Sequence, residues 1–190
     1  MKFWTIQNKH IKDIIEKEGV YQPDFKFSKY PKMDEKWIPV YNYVLQSFNE
    51  INVSNYPGLI FAFAKSEDNA NVSEFDNIKD FQKFLFQKRI AIDGIIKKFD
   101  QRNDAIFELE YQDYFNPIFI DIDDFQEIKD PHFNVFYKTN DDILKIYGAI
   151  KAGKFRPSKL PSGIIQAHLP NIKRNNIIGE YDVNLIKFTT

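Results

Sequence analysis

The segment Lys2-Phe3-Trp4-Thr5-Ile6-Gln7 is apolar enough to form a buried β-strand, and the chain passes from it without a linker into a helical pattern that stops at Gly19. Glycine readily adopts the left-handed conformation that terminates helices. The apolar positions of this short helix share one face at three-and-four spacing: Ile11, Ile14 and Ile15. We therefore expect a strand followed by a helix, with the strand directly after Met1 and no targeting segment before it.

Helical and strand patterns follow one another irregularly along the rest of the chain. Apolar residues recur at helical spacing over about 37–49, 78–99 and 140–153. Apolar runs bounded by Gly, Pro and Asn predict strands over about 59–64, 105–111, 117–122, 164–169 and 177–188. Because strands and helices do not alternate strictly, the pattern favours an α+β fold with a mixed β-sheet and three or four helices. A chain of 190 residues is expected to form a single domain over residues 1–190.

Two packing relationships are also expected. The first strand and the strand over 164–169 are predicted to lie in one sheet, because both are apolar and both carry a Gln that departs from the apolar pattern. The apolar face of the second helix is predicted to pack against that of the third. The residues expected at this contact are Trp37, Val44, Leu45, Phe48, Phe81, Phe84 and Leu85.

Composition limits the classes of function. Hydrophobic residues make up 43% of the chain, which excludes a disordered protein. The net charge of −1 argues against a protein built wholly around nucleic acid or an acidic membrane, so any such contact would be local. No apolar run approaches the length needed to span a bilayer, and there is no cysteine. We expect a cytoplasmic protein without membrane contact.

Charge is segregated in the second half of the chain. Residues 104–130 are rich in carboxylates, with Lys129 as the only basic residue, whereas residues 143–176 carry seven Lys or Arg and no carboxylate. One interpretation is a basic surface for phosphates or an acidic partner protein, beside a carboxylate-rich cleft. The other is that the two segments face each other or solvate their own loops.

Two short motifs carry candidate catalytic and binding residues. Glu108 and Glu110 flank Leu109 on a predicted strand, so both carboxylates project to one face. One interpretation is that they serve as a general acid/base pair, and the other is that they lie on a solvated face of an edge strand. Lys154 and Arg156 flank an aromatic residue, as in a phosphate contact or a plain exposed loop.

The remaining polar motifs are weaker. The acidic run 121–124 offers oxygen ligands to a hard cation, but it lacks the Gly and the distal Glu of a calcium loop, so no metal is expected. The histidines show no metal spacing, and only His168, on a predicted strand in the basic region, is of interest.

The chain resembles a domain-of-unknown-function family of small bacterial and phage proteins. The similarity rests on the opening Trp-Thr-Ile-Gln strand and the closing Ile164-Ile165-Gln166-Ala167 strand, and would cover nearly the whole chain. The sequence departs from the family pattern after Lys65 and after Ile118. This resemblance implies no reaction.

More distantly, the chain is similar to ADP-ribosyltransferases that modify DNA or tRNA. These begin with a strand that contacts the nicotinamide ribose, continue into a helix ending at Gly, and place a catalytic Glu on a later strand, which here would be Glu110. Thr5 stands near the usual first-strand His or Arg. The resemblance implies NAD as cofactor and a nucleic-acid or protein acceptor.

In that interpretation, each candidate residue has a role. Trp4 would stack on nicotinamide, Thr5 and Gln7 would bind the ribose or carboxamide, Lys154 and Arg156 would meet the pyrophosphate, and Glu110, beside Glu108, would stabilise the oxocarbenium-like ribose. The alternative is a non-enzymatic phage or mobile-element protein that binds and inhibits a host defence or nucleic-acid enzyme through its charged second half. A pocket lined by Trp4, Gln7 and Glu110 would favour the enzyme, and burial of these residues in packing would favour the binder.

Overall fold

A computed structural model of the chain describes residues 1–27, 35–66, 68, 70–88, 102–112, 114–129, 140–159 and 162–183. Its strands are β1 (Lys2–Asn8), β2 (Val20–Tyr21), β3 (Ile60–Lys65), β4 (Asp104–Glu110), β5 (Ile118–Asp121), β6 (Ile164–Leu169), β7 (Ile172–Lys173) and β8 (Ile177–Asp182). Six of them form one sheet in the order β5-β6-β3-β1-β4-β8, and β2 pairs with β7. The α+β class is confirmed, and β1 and β6 do share a sheet.

The helices of the described residues are α1 (Ile11–Glu18), α2 (Ile38–Asn52), α3 (Ile78–Gln87), α4 (Ile122–Lys129) and α5 (Asn140–Lys151), with 3-10 turns at Glu35–Trp37 and Arg174–Asn176. None of them is both long and apolar enough to cross a membrane. The predicted helical segment beyond 88 and the predicted strand beyond 183 lie outside the described residues.

The opening segment folds as its sequence predicts. β1 runs along β4 over its whole length, from Lys2 opposite Glu110 to Asn8 opposite Asp104. The Asn8 side chain accepts a hydrogen bond from the His10 backbone N–H, which steadies the turn into α1. Gly19 ends α1 in the left-handed conformation, with a φ of 80°.

The two faces of the sheet are covered differently. One face carries Trp4, Phe63, Phe61 and Ile118 and lies under α2 to α5. The opposite face carries Phe3 and packs with α1. On this face, the two strands between β1 and β5 carry small alanine side chains. The rings of Phe3 on β1 and Phe119 on β5 can therefore meet above them, with their centroids 6.3 Å apart. These faces bury the central strands on both sides.

The structure differs from the expected packing in three respects. Every strand pair of the described residues is antiparallel, so the sheet is not mixed. The acidic segment after β5 forms a helix, α4, that the sequence did not predict. The expected contact between α2 and α3 is wrong, because Val44 and Phe48 pack with α4 and α5, whereas Phe81 and Leu85 pack with Trp4 and Ile106. Periodicity shows which face of a helix is buried but carries no information about its partner or about strand direction.

Candidate functional site

Trp4 lies in the interior of the protein. It has no exposed surface, and its indole lies 5.1 Å from the Phe81 ring and 5.7 Å from the Tyr181 ring, with interplanar angles of 22° and 26°. Its Nε1 makes no hydrogen bond with any residue that the structure describes. The ring that would have stacked on nicotinamide is therefore enclosed by the protein and contacts other aromatic side chains.

Thr5 and Gln7 lie on the opposite face of the sheet from Trp4. The Thr5 hydroxyl donates to the Phe61 carbonyl oxygen at 2.6 Å, and the Gln7 amide donates to the Thr5 hydroxyl at 2.9 Å. Thr5 is fully buried and Gln7 is partly exposed. These hydrogen bonds connect β1 to the neighbouring strand β3 and occupy the polar groups expected to bind a ribose or a carboxamide.

Glu108 and Glu110 project to the same face of β4, with Leu109 buried on the other face, as predicted. Glu108 is buried opposite Trp4, where it pairs with the Lys2 ammonium at 3.2 Å and accepts a hydrogen bond from the Tyr181 hydroxyl at 3.1 Å. This hydrogen-bonded carboxylate raises the pKa of Lys2. Glu110 is exposed at the end of the strand, opposite Lys2.

Lys154 and Arg156 lie at the other end of the sheet. The Arg156 guanidinium donates to the Asp124 carboxylate at 2.5 Å, and Asp124 is almost fully buried. Together with Asp121, they line a small cavity beside β5. β4 and β5 are separated by three intervening strands, roughly 19 Å at the usual strand spacing.

The seven predicted site residues therefore occupy three places. Trp4, Glu108 and Glu110 share one face of β1 and β4, Thr5 and Gln7 share the other face, and Lys154 and Arg156 lie near β5. The largest of these groups contains Trp4, Glu108 and Glu110. Within it, Trp4 and Glu108 already contact neighbouring side chains.

The acidic and basic segments of the second half meet in part. The Arg156–Asp124 pair joins the two segments, and Lys159 of the basic segment lies 2.6 Å from the buried carboxylate of Asp142, a residue between the two segments in the sequence. Asp121, at the end of β5, accepts hydrogen bonds from the Ser162 hydroxyl and the Asp123 backbone N–H. Burial raises the pKa of Asp121 to about 6. The two segments thus partly neutralise each other, which was one of the two interpretations.

His168 is fully buried on β6, where its ring lies 4.9 Å from the Phe61 ring and 5.8 Å from the Phe125 ring. Neither ring nitrogen has a hydrogen-bond partner among the described residues. Burial lowers the pKa of His168 to about 3, so the imidazole is neutral at physiological pH. His168 therefore has the surroundings of a core residue.

Three lysines of the basic segment form no ion pair with any residue of the described ranges: Lys145, Lys151 and Lys154. All three are exposed, on α5 or just after it. Leu144 lies next to Lys145 with 66% of its surface exposed, and the small residues Gly148 and Ala152 complete the outer side of the helix. We call this surface, made of Leu144, Lys145, Gly148, Lys151 and Ala152, the α5 face. Lys154 follows the helix and lines the small cavity beside β5, so it does not belong to this face.

Lys145 and Lys151 were not among the predicted site residues. Their signal in the sequence is the spacing, because positions 144, 145, 148, 151 and 152 fall on one side of a helix. No group of three or more His, Cys, Asp or Glu side chains suited to a metal ion occurs in the part of the chain that the structure describes. Comparison of the chain with protein-family models, curated proteins and solved structures finds no match.

Proposed function

We propose that the chain is a non-enzymatic binding protein whose α5 face contacts an acidic surface of a target protein. The observation that carries this proposal is that some basic residues of the segment 143–176 form ion pairs with buried carboxylates and others do not. Arg156 and Lys159 are held by buried carboxylates, whereas Lys145 and Lys151 on the α5 face are exposed and unpaired within the described ranges. Unpaired surface lysines on one side of a helix create a local positive field in a chain of nearly neutral net charge.

The shape and chemistry of the α5 face favour a protein target over nucleic acid. Leu144 presents an exposed apolar side chain, which contributes to a protein interface by burial but has no use against a phosphate backbone. Gly148 and Ala152 carry little or no side chain, so a partner can approach the helix backbone closely.

The transferase interpretation receives less support from the geometry. A nicotinamide platform requires an accessible ring face, and Trp4 has no exposed surface and contacts the rings of Phe81 and Tyr181. The target that fits the resemblance to phage and bacterial proteins is a host enzyme of defence or nucleic-acid metabolism that exposes an acidic patch, and the binding protein would inhibit it by occupying that patch.

The experiment uses a short poly-glutamate peptide as a probe of acidic protein surfaces and a single-stranded oligonucleotide of matched charge as the competing class. We expect the wild-type chain to bind the peptide in a salt-sensitive way. The double variant Lys145→Glu and Lys151→Glu should lose at least about tenfold in affinity, because two attractive contacts become repulsive.

A matched control carries the same charge change elsewhere, at the exposed lysines Lys17 and Lys79. This control should retain most of the affinity. Equal loss in both double variants would show that binding follows net charge and would contradict the proposal. Tighter binding of the oligonucleotide than of the peptide would replace the protein target with nucleic acid.

A further inference from the structure

The outer side of α2 carries an unusual stripe of exposed and partly exposed residues. Ile38, Asn42, Leu45, Asn49 and Val53 follow one another at intervals of four and three, so they line one side of the helix. Glu50 is the only charged residue between Trp37 and Ala64, in a chain that is 28% charged. Depletion of charge on an exposed helix is characteristic of the centre of a protein interface.

Val53, at the end of this stripe, is held in an unfavourable conformation. Its φ of 48° and ψ of 53° are left-handed, which suits Gly or Asn and is strained for a β-branched residue. Val53 is 94% exposed, and the backbone hydrogen bonds that close α2 form around it, from the Val53 N–H to the Glu50 carbonyl oxygen and from the Ser54 N–H to the Asn49 carbonyl oxygen. A strained and exposed apolar residue at a helix end suggests a contact with another molecule.

An open depression of about 860 Å³ accompanies the stripe. Its walls include Asn42, Leu45, Asn49 and Val53, together with Asn55 and Tyr56 from the following turn. The Asn49 side chain holds this turn in place, since its amide donates to the Tyr56 carbonyl oxygen and its oxygen accepts from the Ser54 hydroxyl and the Tyr56 backbone N–H. The depression is therefore bounded by fixed structure and has room for side chains from a second helix.

We infer that the occupant is a second copy of this chain, joined through an antiparallel α2–α2 contact about a twofold axis between Leu45 and Gln46. In this register, Ile38 of one copy faces Val53 of the other, and Asn42 faces Asn49. The exposed apolar residues at the two ends of the stripe are thereby buried against each other.

The charge distribution fits a self-complementary contact. The same register places Glu50 opposite position 41, so the two Glu50 carboxylates are separated by about 13 Å along the helix axis and repel each other little at physiological salt. The basic α5 face would repel its own copy, whereas the α2 stripe brings no like charges together. This inference goes beyond the proposed function and does not depend on it.

The test is the mass of the full chain by light scattering after size exclusion, with no target or probe present. We expect twice the 22.6 kDa of one chain, with dissociation on dilution. Val53→Asp should shift the protein to monomer, because the substitution suits the left-handed backbone but buries a carboxylate against Ile38. Ile178→Lys, at an exposed apolar residue on β8, should remain a dimer.

The register itself is tested by mixing two monomeric variants. Ile38→Lys should also be monomeric alone, but an equimolar mixture with Val53→Asp should form a heterodimer, because one end of the contact gains a Lys–Asp pair and the other keeps its native Ile–Val pair. A monomeric wild-type chain at every concentration would overturn the inference, as would a dimer that survives Val53→Asp. Failure of the mixture to associate would overturn the register.

Discussion

The Trp4 indole and the Phe81 ring stack with their centroids 5.1 Å apart, and this contact joins the first strand of the sheet to α3. Neither side chain has exposed surface. Trp4, the residue that was expected to stack on nicotinamide, is therefore part of the core.

Phe81→Ala should lower the free energy of unfolding by about 3–5 kcal/mol, since it removes a buried ring and leaves a cavity beside Trp4. Denaturant unfolding measures the effect. Phe86→Ala is the matched control on the same helix, at a ring that is half exposed, and should have a much smaller effect. A loss below about 1 kcal/mol at Phe81 would show that α3 does not pack on Trp4.

His168 should make the protein sensitive to acid. Burial lowers the pKa of His168 from 6.5 to about 3. Below pH 6.5 the unfolded chain therefore binds a proton at this histidine, whereas the folded protein leaves it neutral until the pH approaches 3. As the pH falls from 6.5 towards 3, the free energy of unfolding therefore decreases, and the contribution of His168 to this decrease is up to about 5 kcal/mol. His168→Leu should flatten this part of the stability profile. An unchanged pH profile in the variant would contradict the buried neutral imidazole.

Asp121 should have the opposite effect on stability. Its pKa is raised from 3.8 to about 6, so the folded protein holds a proton that the unfolded chain has released between these values. Its contribution to stability is greatest below pH 3.8 and declines as the pH rises through 6, by about 3 kcal/mol. Asp121→Asn should thus stabilise the protein at pH 7 and leave it unchanged near pH 3. Destabilisation at pH 7 would show that the ionised carboxylate is needed for folding.

Local features of the fold could be predicted from the sequence because they depend on neighbouring residues. The run from Lys2 to Gln7, the termination of α1 at Gly19 and the apolar strand β6 each follow from a few adjacent side chains. The helix α4 was not predicted, because the carboxylates of its first turn, Asp123 and Asp124, were considered only as possible oxygen ligands for a cation. In the structure, Asp124 in this helix is held by Arg156, which is distant in the sequence.

The candidate site was harder to predict for the same reason. Trp4 and Gln7 are close in sequence, but the alternation of a strand sends them to opposite faces. Which face is covered depends on where α3 packs, and the burial pattern of α3 does not specify its partner. Likewise, the sequence shows seven basic residues in the segment 143–176 but not that Arg156 and Lys159 meet buried carboxylates while Lys145 and Lys151 do not.

Calorimetric titration with NAD at millimolar concentration, with nicotinamide release followed in parallel, distinguishes most directly between the proposed binding protein and an NAD-dependent transferase. We predict no saturable binding and no release, because Trp4 is fully buried against the rings of Phe81 and Tyr181. Saturable NAD binding, with release that falls about a hundredfold in Glu110→Gln while the affinity is kept, would contradict the proposed function and establish the transferase instead.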